Sequence, residues 1–285
     1  MGKHNNKKKN PSAQKIERYL LNIVILVHGR FDLLAKCLQA LPEAAKDTPY
    51  NVILVDNASP DKAEADAFYG SLHMDNVVIT RNKENFGFPK GCNQGFRRGY
   101  APLVMFLNSD VMADPGSINT LVRDMDDPQN GAIGMKLVFP DDAEGLPQDK
   151  IHRPAGMLQH IGLMTNIRGE FIHVFLGWDA EHPKVNAMRH VYAVTGAAMI
   201  TRRSLFNKAG LFYEGYGKGT YEDVDYCLKV REMGYNIVVN PSARGIHYTG
   251  ATAEKYKEGF PLDFNRLIFL QRWGGKLAWS EWSCL

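Results

Sequence analysis

The chain predicts an α/β fold: a mostly parallel sheet with helices on both faces. Three observations carry that expectation. Short apolar, β-branched runs alternate with stripes of helical period. The runs are apolar throughout, as strands buried on both faces are. Two of them end in polar, carboxylate-bearing turns, Asp56-Asn57-Ala58-Ser59-Pro60-Asp61 and Asn108-Ser109-Asp110, and the carboxyl edge of an open α/β sheet is where ligands bind.

Asn22–His28, NIVILVH, reads as the first strand. Apolar residues at 33, 34, 37, 38 and 41 make a helical stripe that Pro42 ends. Asn51–Asp56 is a second strand, Ala63–Leu72 a helix and Val77–Thr80 a third strand, completing β-α-β-α-β. Asn82–Gly95, NKENFGFPKGCNQG, then precedes a helix over Cys92–Arg98. Its glycines let backbone approach a ligand, and a helix start favours anions. It matches neither the dinucleotide fingerprint nor the P-loop. Val104–Leu107 is the central strand, followed by a helix over Ile118–Met125 and a strand over Ile133–Phe139.

Pro140–Gly169 is polar and carries His152, Arg153, His160 and Arg168. It reads as an insertion over one end of the sheet, suited to substrate selection. Phe171–Leu176 reads as a strand, and Val191–Thr201 as another, interrupted by Gly196 where backbone meets ligand. A short helix over Arg202–Ala209 follows. Glycines 215, 217 and 219 make a mobile loop before a helix that opens with Tyr221-Glu222-Asp223-Val224-Asp225 and closes at Gly234. Asn236–Asn240 is the last strand, and Ala243–Gly250 carries His247. From Phe260 an amphipathic helix contains Phe264, Leu267, Ile268 and Leu270–Trp273, with Trp279 and Trp282 beyond it. That helix either caps the core or leans on a membrane or partner.

The 285 residues suffice for one large α/β domain, and 45% hydrophobic with 23% charged residues is ordinary globular composition. A net charge of +3 is too small to argue for nucleic acid. Lys3, Lys7, Lys8 and Lys9 concentrate the excess in a polar arm expected to be disordered. No apolar run reaches the roughly 20 residues of a membrane span, and no signal peptide pattern precedes the first strand. Four scattered cysteines without a CxxC pair fit reduced thiols. The expected location is cytoplasmic, with the inner membrane face as a peripheral contact.

The residues themselves leave their chemistry open. Asp110 at a strand end suits Mg²⁺ or Mn²⁺ carrying a diphosphate, yet Asn, Ser and Asp are also ordinary turn formers. Acidic residues at a helix start are favoured by its dipole, yet Glu222, Asp223 and Asp225 together exceed what capping requires.

In order along the chain, ILVHGR, VDNASPD, NFGFPKGCNQG, FLNSD, VTGAAMITR, YEDVDYCLKVREMGY and NPSARGIHYTGAT resemble the family-2 glycosyltransferases of GT-A fold. The set is most similar to the bacterial rhamnosyltransferase-like subgroup, whose donors vary. The resemblance implies a single Rossmann-like domain over residues 21–255, with a nucleotide-binding half over 21–135 and an acceptor and catalytic half over 136–255. The basic arm over 1–20 precedes it, and a helical tail over 256–285 follows.

By that resemblance Asp56 hydrogen-bonds the donor's base, flanked by Asn57 and by Val27 and His28. Asn85, Gly87 and Asn93 surround the nucleoside and ribose, and Arg30, Lys90, Gly196, Asn108 and Ser109 complete the expected donor set. Asn108-Ser109-Asp110 stands for the family's Asp-x-Asp, its first acid replaced by Asn, with Asp110 and His247 as ligands of Mn²⁺ or Mg²⁺. Asp223 is the expected general base, with Glu222 as the alternative. The implied reaction moves a sugar from a UDP- or dTDP-sugar to a hydroxyl of a glycan or lipid-linked acceptor by single displacement with inversion, in surface polysaccharide or glycoconjugate synthesis. The 215–220 loop would be a lid. Two rivals are a catalytically inactive sugar-nucleotide or glycan binding module, and a nucleotidyltransferase on a related fold. The latter wants a basic Gly-rich loop where this chain has only His28-Gly29-Arg30-Phe31.

Overall fold

A computed structural model describes residues 19–141, 155–165, 170–249 and 261–277. Most of the basic arm, with His152, Arg153, Arg168, Trp279 and Trp282, lies outside the described residues.

The first half forms as the pattern predicts. Strands β1 (Leu21–Val27), β2 (Tyr50–Asp56) and β3 (Val77–Arg81) alternate with helices α1 (Phe31–Ala44) and α2 (Lys62–Ser71). Helix α3 (Phe88–Arg98) then leads to β4 (Leu103–Asn108), β5 (Val111–Ala113), α4 (Ser117–Asp124) and β6 (Asn130–Val138). Side chains of β1 alternate between two cores. Ile23, Ile25 and Val27 pack with Phe31, Leu34 and Leu38 of α1, while Val24 joins Cys92 and Phe96 of α3 on the opposite face. Helix α1 runs past Pro42, which sits in its last turn. Helix α3 starts four residues earlier than its apolar spacing suggests, because Pro89 is compatible with a first turn.

The second half departs further from the expectation. The insertion carries β7 (Leu158–His160), which joins the main sheet, and a two-stranded hairpin of β8 (Leu163–Thr165) and β9 (Phe171–His173). The run expected as one strand over 191–201 is split. Arg189–His190 forms the edge strand β10, residues 191–197 leave the sheet, and β11 covers Ala198–Arg202. Helix α5 (Arg203–Lys208), helix α6 (Glu222–Glu232), strand β12 (Asn236–His247) and helix α7 (Leu262–Trp273) complete the chain.

Among the described residues the sheet has ten strands in the order β10-β12-β6-β11-β4-β1-β2-β3, with β5 beside β12 and β7 beside β6. The β3-β2-β1-β4 block is parallel, β6 and β12 are parallel to each other, and β11 is antiparallel between the two blocks. β12 is one strand with a bulge at Asn240–Arg244 that accommodates Pro241. Beyond the bulge it pairs with β5, setting His247 opposite Val111. No helix of the described residues is long and apolar enough to cross a membrane.

Candidate functional site

Parallel register brings the strand ends into one row. Val27 pairs with Asp56, Asp56 with Arg81, and Leu26 with Asn108. Asp56 is buried, accepting from the Ser59 N–H at 2.8 Å on one oxygen and from Arg81 Nε at 3.2 Å on the other. A carboxylate offers about four acceptor positions, so these contacts orient Asp56 and leave capacity for a further donor. Ser59 Oγ accepts from Gly29 N at 2.9 Å, tying the ends of β1 and β2. His28 Nδ1 donates to the Asn57 carbonyl at 3.1 Å, and Asn57 N donates to the Val27 carbonyl at 2.7 Å. Arg30 lies farther out, its guanidinium on Asp32 at 2.9 Å.

Asn57 organises the glycine-rich loop. Its Nδ2 donates to Asn85 Oδ1 at 2.7 Å and to the Gly87 carbonyl at 3.3 Å, and its Oδ1 accepts from Asn82 Nδ2 and Phe86 N, both at 3.1 Å. Gly87 has φ +81°, and a Cβ there would lie 1.9 Å from the Gly217 carbonyl oxygen. Only glycine permits that approach. Lys90 Nζ sits 3.9 Å from the centre of the Phe86 ring. Asn93 is turned inward, exchanging hydrogen bonds with the Phe212 backbone at 2.9 and 3.2 Å and donating to Glu214 at 3.0 Å. It therefore holds α3 to the 212–214 segment.

At the end of β4, Ser109 and Asp110 are buried. The β5–β12 pairing brings His247 beside them, and its Nε2 lies 3.3 Å from Asp110 Oδ1. One carboxylate and one imidazole suit Mn²⁺ or Mg²⁺ if diphosphate and water fill the remaining positions. Among the described residues no group of three His, Cys, Asp or Glu residues is placed to hold a metal alone. The donor set thus fits a cation that arrives with its nucleotide.

The 195–197 segment links this corner to the start of α6. Asn108 N donates to the Ala197 carbonyl at 2.8 Å, and Gly196 N donates to Asp223 Oδ2 at 2.8 Å. Asp223 Oδ1 accepts from Val224 N at 2.8 Å. Burial pushes the half-buried Asp223 carboxyl above the usual carboxylate range, against the pull of the Gly196 and Val224 N–H groups. Glu222 points inward. It is buried, its Oε2 has no partner among the described residues, and burial together with the Asp223 charge holds it well above the ordinary value. Behind the segment, His160 Nε2 accepts from Thr195 N at 3.4 Å and His160 Nδ1 faces His173 Nδ1 at 3.0 Å. Burial depresses both imidazoles, His173 to about 4, so both are neutral near pH 7.

Asp225 serves another purpose. Fully buried, it accepts from Arg272 Nε at 2.6 Å, Trp273 Nε1 at 2.8 Å and Tyr216 OH at 3.2 Å, with Lys229 Nζ at 2.9 Å. Burial alone would raise its pKa; Arg272, Lys229 and Trp273 outweigh that and lower it. The loop expected to be a mobile lid is pinned from the same helix. Asn265 Nδ2 donates to the carbonyls of Tyr216 at 2.9 Å, Gly219 at 2.6 Å and Thr220 at 3.3 Å, and Phe88 N donates to Lys218 O at 3.2 Å. A loop tied to α7 and α3 is a wall of the site, which corrects the lid expectation.

Four residues that shape this region were not among the expected set. Arg81 ends β3 as Asp56 ends β2, so aligning the strand ends would have found it. Gln159, Thr195 and Asn265 act through contacts between distant elements, which spacing does not show.

Comparisons with known proteins bear on the fold and the family. Chains 25% and 26% identical over 240 residues are the uncharacterized protein y4gI of Sinorhizobium fredii and the O-antigen biosynthesis protein RfbC of Myxococcus xanthus. They cover 82% and 81% of this chain, which spans only 25% and 17% of their lengths. The N-acetylglucosaminyl-diphospho-decaprenol L-rhamnosyltransferase of Mycobacterium tuberculosis is 28% identical over 227 residues, 72% of this chain and 68% of that one. Among solved structures, GalNAc-T7 with UDP, GalNAc and Mn²⁺ superposes with TM-score 0.63 at 14% identity, over 80% of this chain and 44% of that one. The mannosyltransferase PcManGT of Pyrobaculum calidifontis, with GDP-Man and Mn²⁺, gives 0.56 at 16%, over 91% and 70%. These likenesses show the GT-A fold. The family model described as glycosyl transferase family 2 matches residues 22–208, spanning Asp56 and Asp110 and stopping short of Asp223 and His247. The chain belongs to glycosyl transferase family 2.

Proposed function

We propose that the chain is an inverting glycosyltransferase that moves a sugar from a UDP- or dTDP-sugar to an acceptor hydroxyl. One observation carries this reading. The 195–197 segment bonds the end of β4 through Ala197 and the Asp223 carboxylate through Gly196. In this reading the segment links the turn that carries Asp110, a diphosphate corner with His247, to Asp223, the more accessible acid of the Glu222-Asp223 pair.

In this reading Asp56, oriented by Ser59 and Arg81, accepts from the N–H of a pyrimidine base. The Asn57-held loop packs along the nucleoside. Asp110 and His247 hold a divalent cation, which when bound would neutralise charge on the departing diphosphate. Asp223 takes the proton from the acceptor hydroxyl as that oxygen attacks the anomeric carbon, and its raised pKa makes it a stronger base than an ordinary aspartate. Glu222, buried and held well above the ordinary carboxylate value by burial and by the Asp223 charge, is the alternative base. The 215–220 wall keeps water from the donor. The rhamnosyltransferase relative, named for a decaprenol-linked substrate, supports a glycan or lipid-linked acceptor.

A thermal-shift panel of nucleoside diphosphates with and without Mn²⁺ tests the donor side, since binding to the folded state raises the melting point. UDP or dTDP should raise it more with Mn²⁺ present. No shift with any nucleotide would sink the reading. Nucleotide binding without release of sugar from any donor would favour the inactive binding module.

A further inference from the structure

Gln159 is the extra residue of a β-bulge. Strand β7 pairs antiparallel with β6 as Leu137↔His160 and Val138↔Leu158, which leaves Gln159 opposite no residue. Bulges re-aim side chains and recur beside active sites. Here the re-aimed amide is buried against His247, which is itself buried.

Gln159 Nε2 donates to the His247 carbonyl at 3.2 Å and to the Thr249 hydroxyl, while its Oε1 faces His247 Nδ1 at 2.7 Å. These contacts settle which end of the amide is which. Reversed, the amide oxygen would oppose the His247 carbonyl oxygen, two acceptors with no proton between them. Oε1 only accepts, so Nδ1 carries the ring proton. The Thr249 oxygen, 3.2 Å from Nδ1, is a second acceptor for it. The other ring nitrogen, Nε2, faces Asp110 Oδ1 at 3.3 Å.

We propose that Gln159 is a positioning residue that locks His247 into the Nδ1–H tautomer and aims its bare Nε2, together with Asp110, at a divalent cation. The proposal rests on reading Asp110 and His247 as the metal-holding pair. Nε2 and the Asp110 carboxylate oxygen, 3.3 Å apart, converge as two ligand atoms for one cation. Outer partners that fix the tautomer of a ligating histidine raise its basicity and its metal affinity. The insertion, expected to select substrate, therefore also serves the metal corner of the site.

Two measurements test this. The first needs no metal: imidazole ¹⁵N spectra of the full chain should show His247 as the Nδ1–H tautomer. In Gln159→Met, which keeps the length and removes both polar ends, the proton should move toward Nε2, where Asp110 accepts it. The second is Mn²⁺ binding by electron paramagnetic resonance, with and without UDP. Gln159→Met should weaken Mn²⁺ roughly 10–100-fold, and Gln159→Glu, which still accepts from Nδ1–H, should stay nearer wild type. A folded Gln159→Met with wild-type tautomer and Mn²⁺ affinity overturns the role of Gln159 while His247→Ala still loses Mn²⁺. If His247→Ala binds Mn²⁺ like wild type, the metal pair itself is wrong and the proposal falls with it. Should the Met variant fail to fold, the Glu variant decides: loss of its Nδ1–H tautomer or of Mn²⁺ binding overturns the proposal.

Discussion

The Gly196 amide donates to the Asp223 carboxylate at 2.8 Å, and this bond joins the middle of the sheet to the start of α6. It approaches from the residue next to Ala197, whose carbonyl holds the end of β4. The expected base is thus oriented by the same short segment that fixes the turn carrying Asp110.

Asp223→Asn keeps the size of the side chain and an acceptor for Gly196, and removes the base. Transfer should fall by about 10²–10⁴ in kcat, with nucleotide binding by calorimetry unchanged. A fully active variant would move the base elsewhere.

Asp110→Ala removes the only carboxylate beside His247 among the described residues. Calorimetric titration with UDP should lose its dependence on Mn²⁺, while the remaining affinity, carried by the base and ribose contacts, persists. Unchanged Mn²⁺-dependent binding would take Asp110 out of the site.

Glu222 gives a pH dependence of known sign. Its folded pKa is raised, by burial first and by Asp223 second. The folded state therefore binds the proton more tightly than the unfolded chain, and stability falls as pH rises from the ordinary glutamate range through the folded pKa. Glu222→Gln cannot ionise. Its melting temperature should fall less steeply between pH 5 and 8 than that of the wild type, and parallel curves would refute the buried neutral acid.

Asn265→Ala strips one donor from the carbonyls of Tyr216, Gly219 and Thr220. Leaving buried acceptors unmet costs about 1–3 kcal/mol. Amide exchange should rise over residues 216–220 and at the start of α6, with β1 and β4 unaffected.

Gly87→Ala must both hold φ at +81° and displace the Gly217 carbonyl. Backbone on both sides is fixed, so the variant should be destabilised by several kcal/mol (at least ~1 from the dihedral alone) and should lose nucleotide binding. Chemical denaturation and UDP titration check the two halves of that statement.

Much of the architecture was readable because it depends on local pattern. Apolar runs marked β1, β2 and β4, because burial on both faces leaves no polar positions in a strand, a helical stripe marked α1, and a polar turn marked the start of α2. Parallel register then placed Asp56 and Asn108 on one edge. The 191–201 run misled because its apolar residues serve two cores: Ala198 and Ile200 on one side, Val194 and Met199 on the other, with the chain leaving the sheet before Ala198. Pairings between remote segments have no local signature. Asp110 with His247 depends on a bulge that lets β12 continue past Pro241 to reach β5, and Gln159 depends on a second bulge in a strand of three residues. Asn93 looked like a ligand contact because an amide in a glycine-rich stretch has the same appearance whether it faces a nucleoside or the Phe212 backbone.

The quartet around Asp225 bears on how this polypeptide can be handled at the bench. Arg272 and Trp273 supply three of its hydrogen bonds from α7, so an expression boundary drawn where the family match ends, or just after His247, would strip the main partners from a negative charge two residues from Asp223. Shortened versions should retain the polypeptide through Trp273, and those that do not are expected in the insoluble fraction.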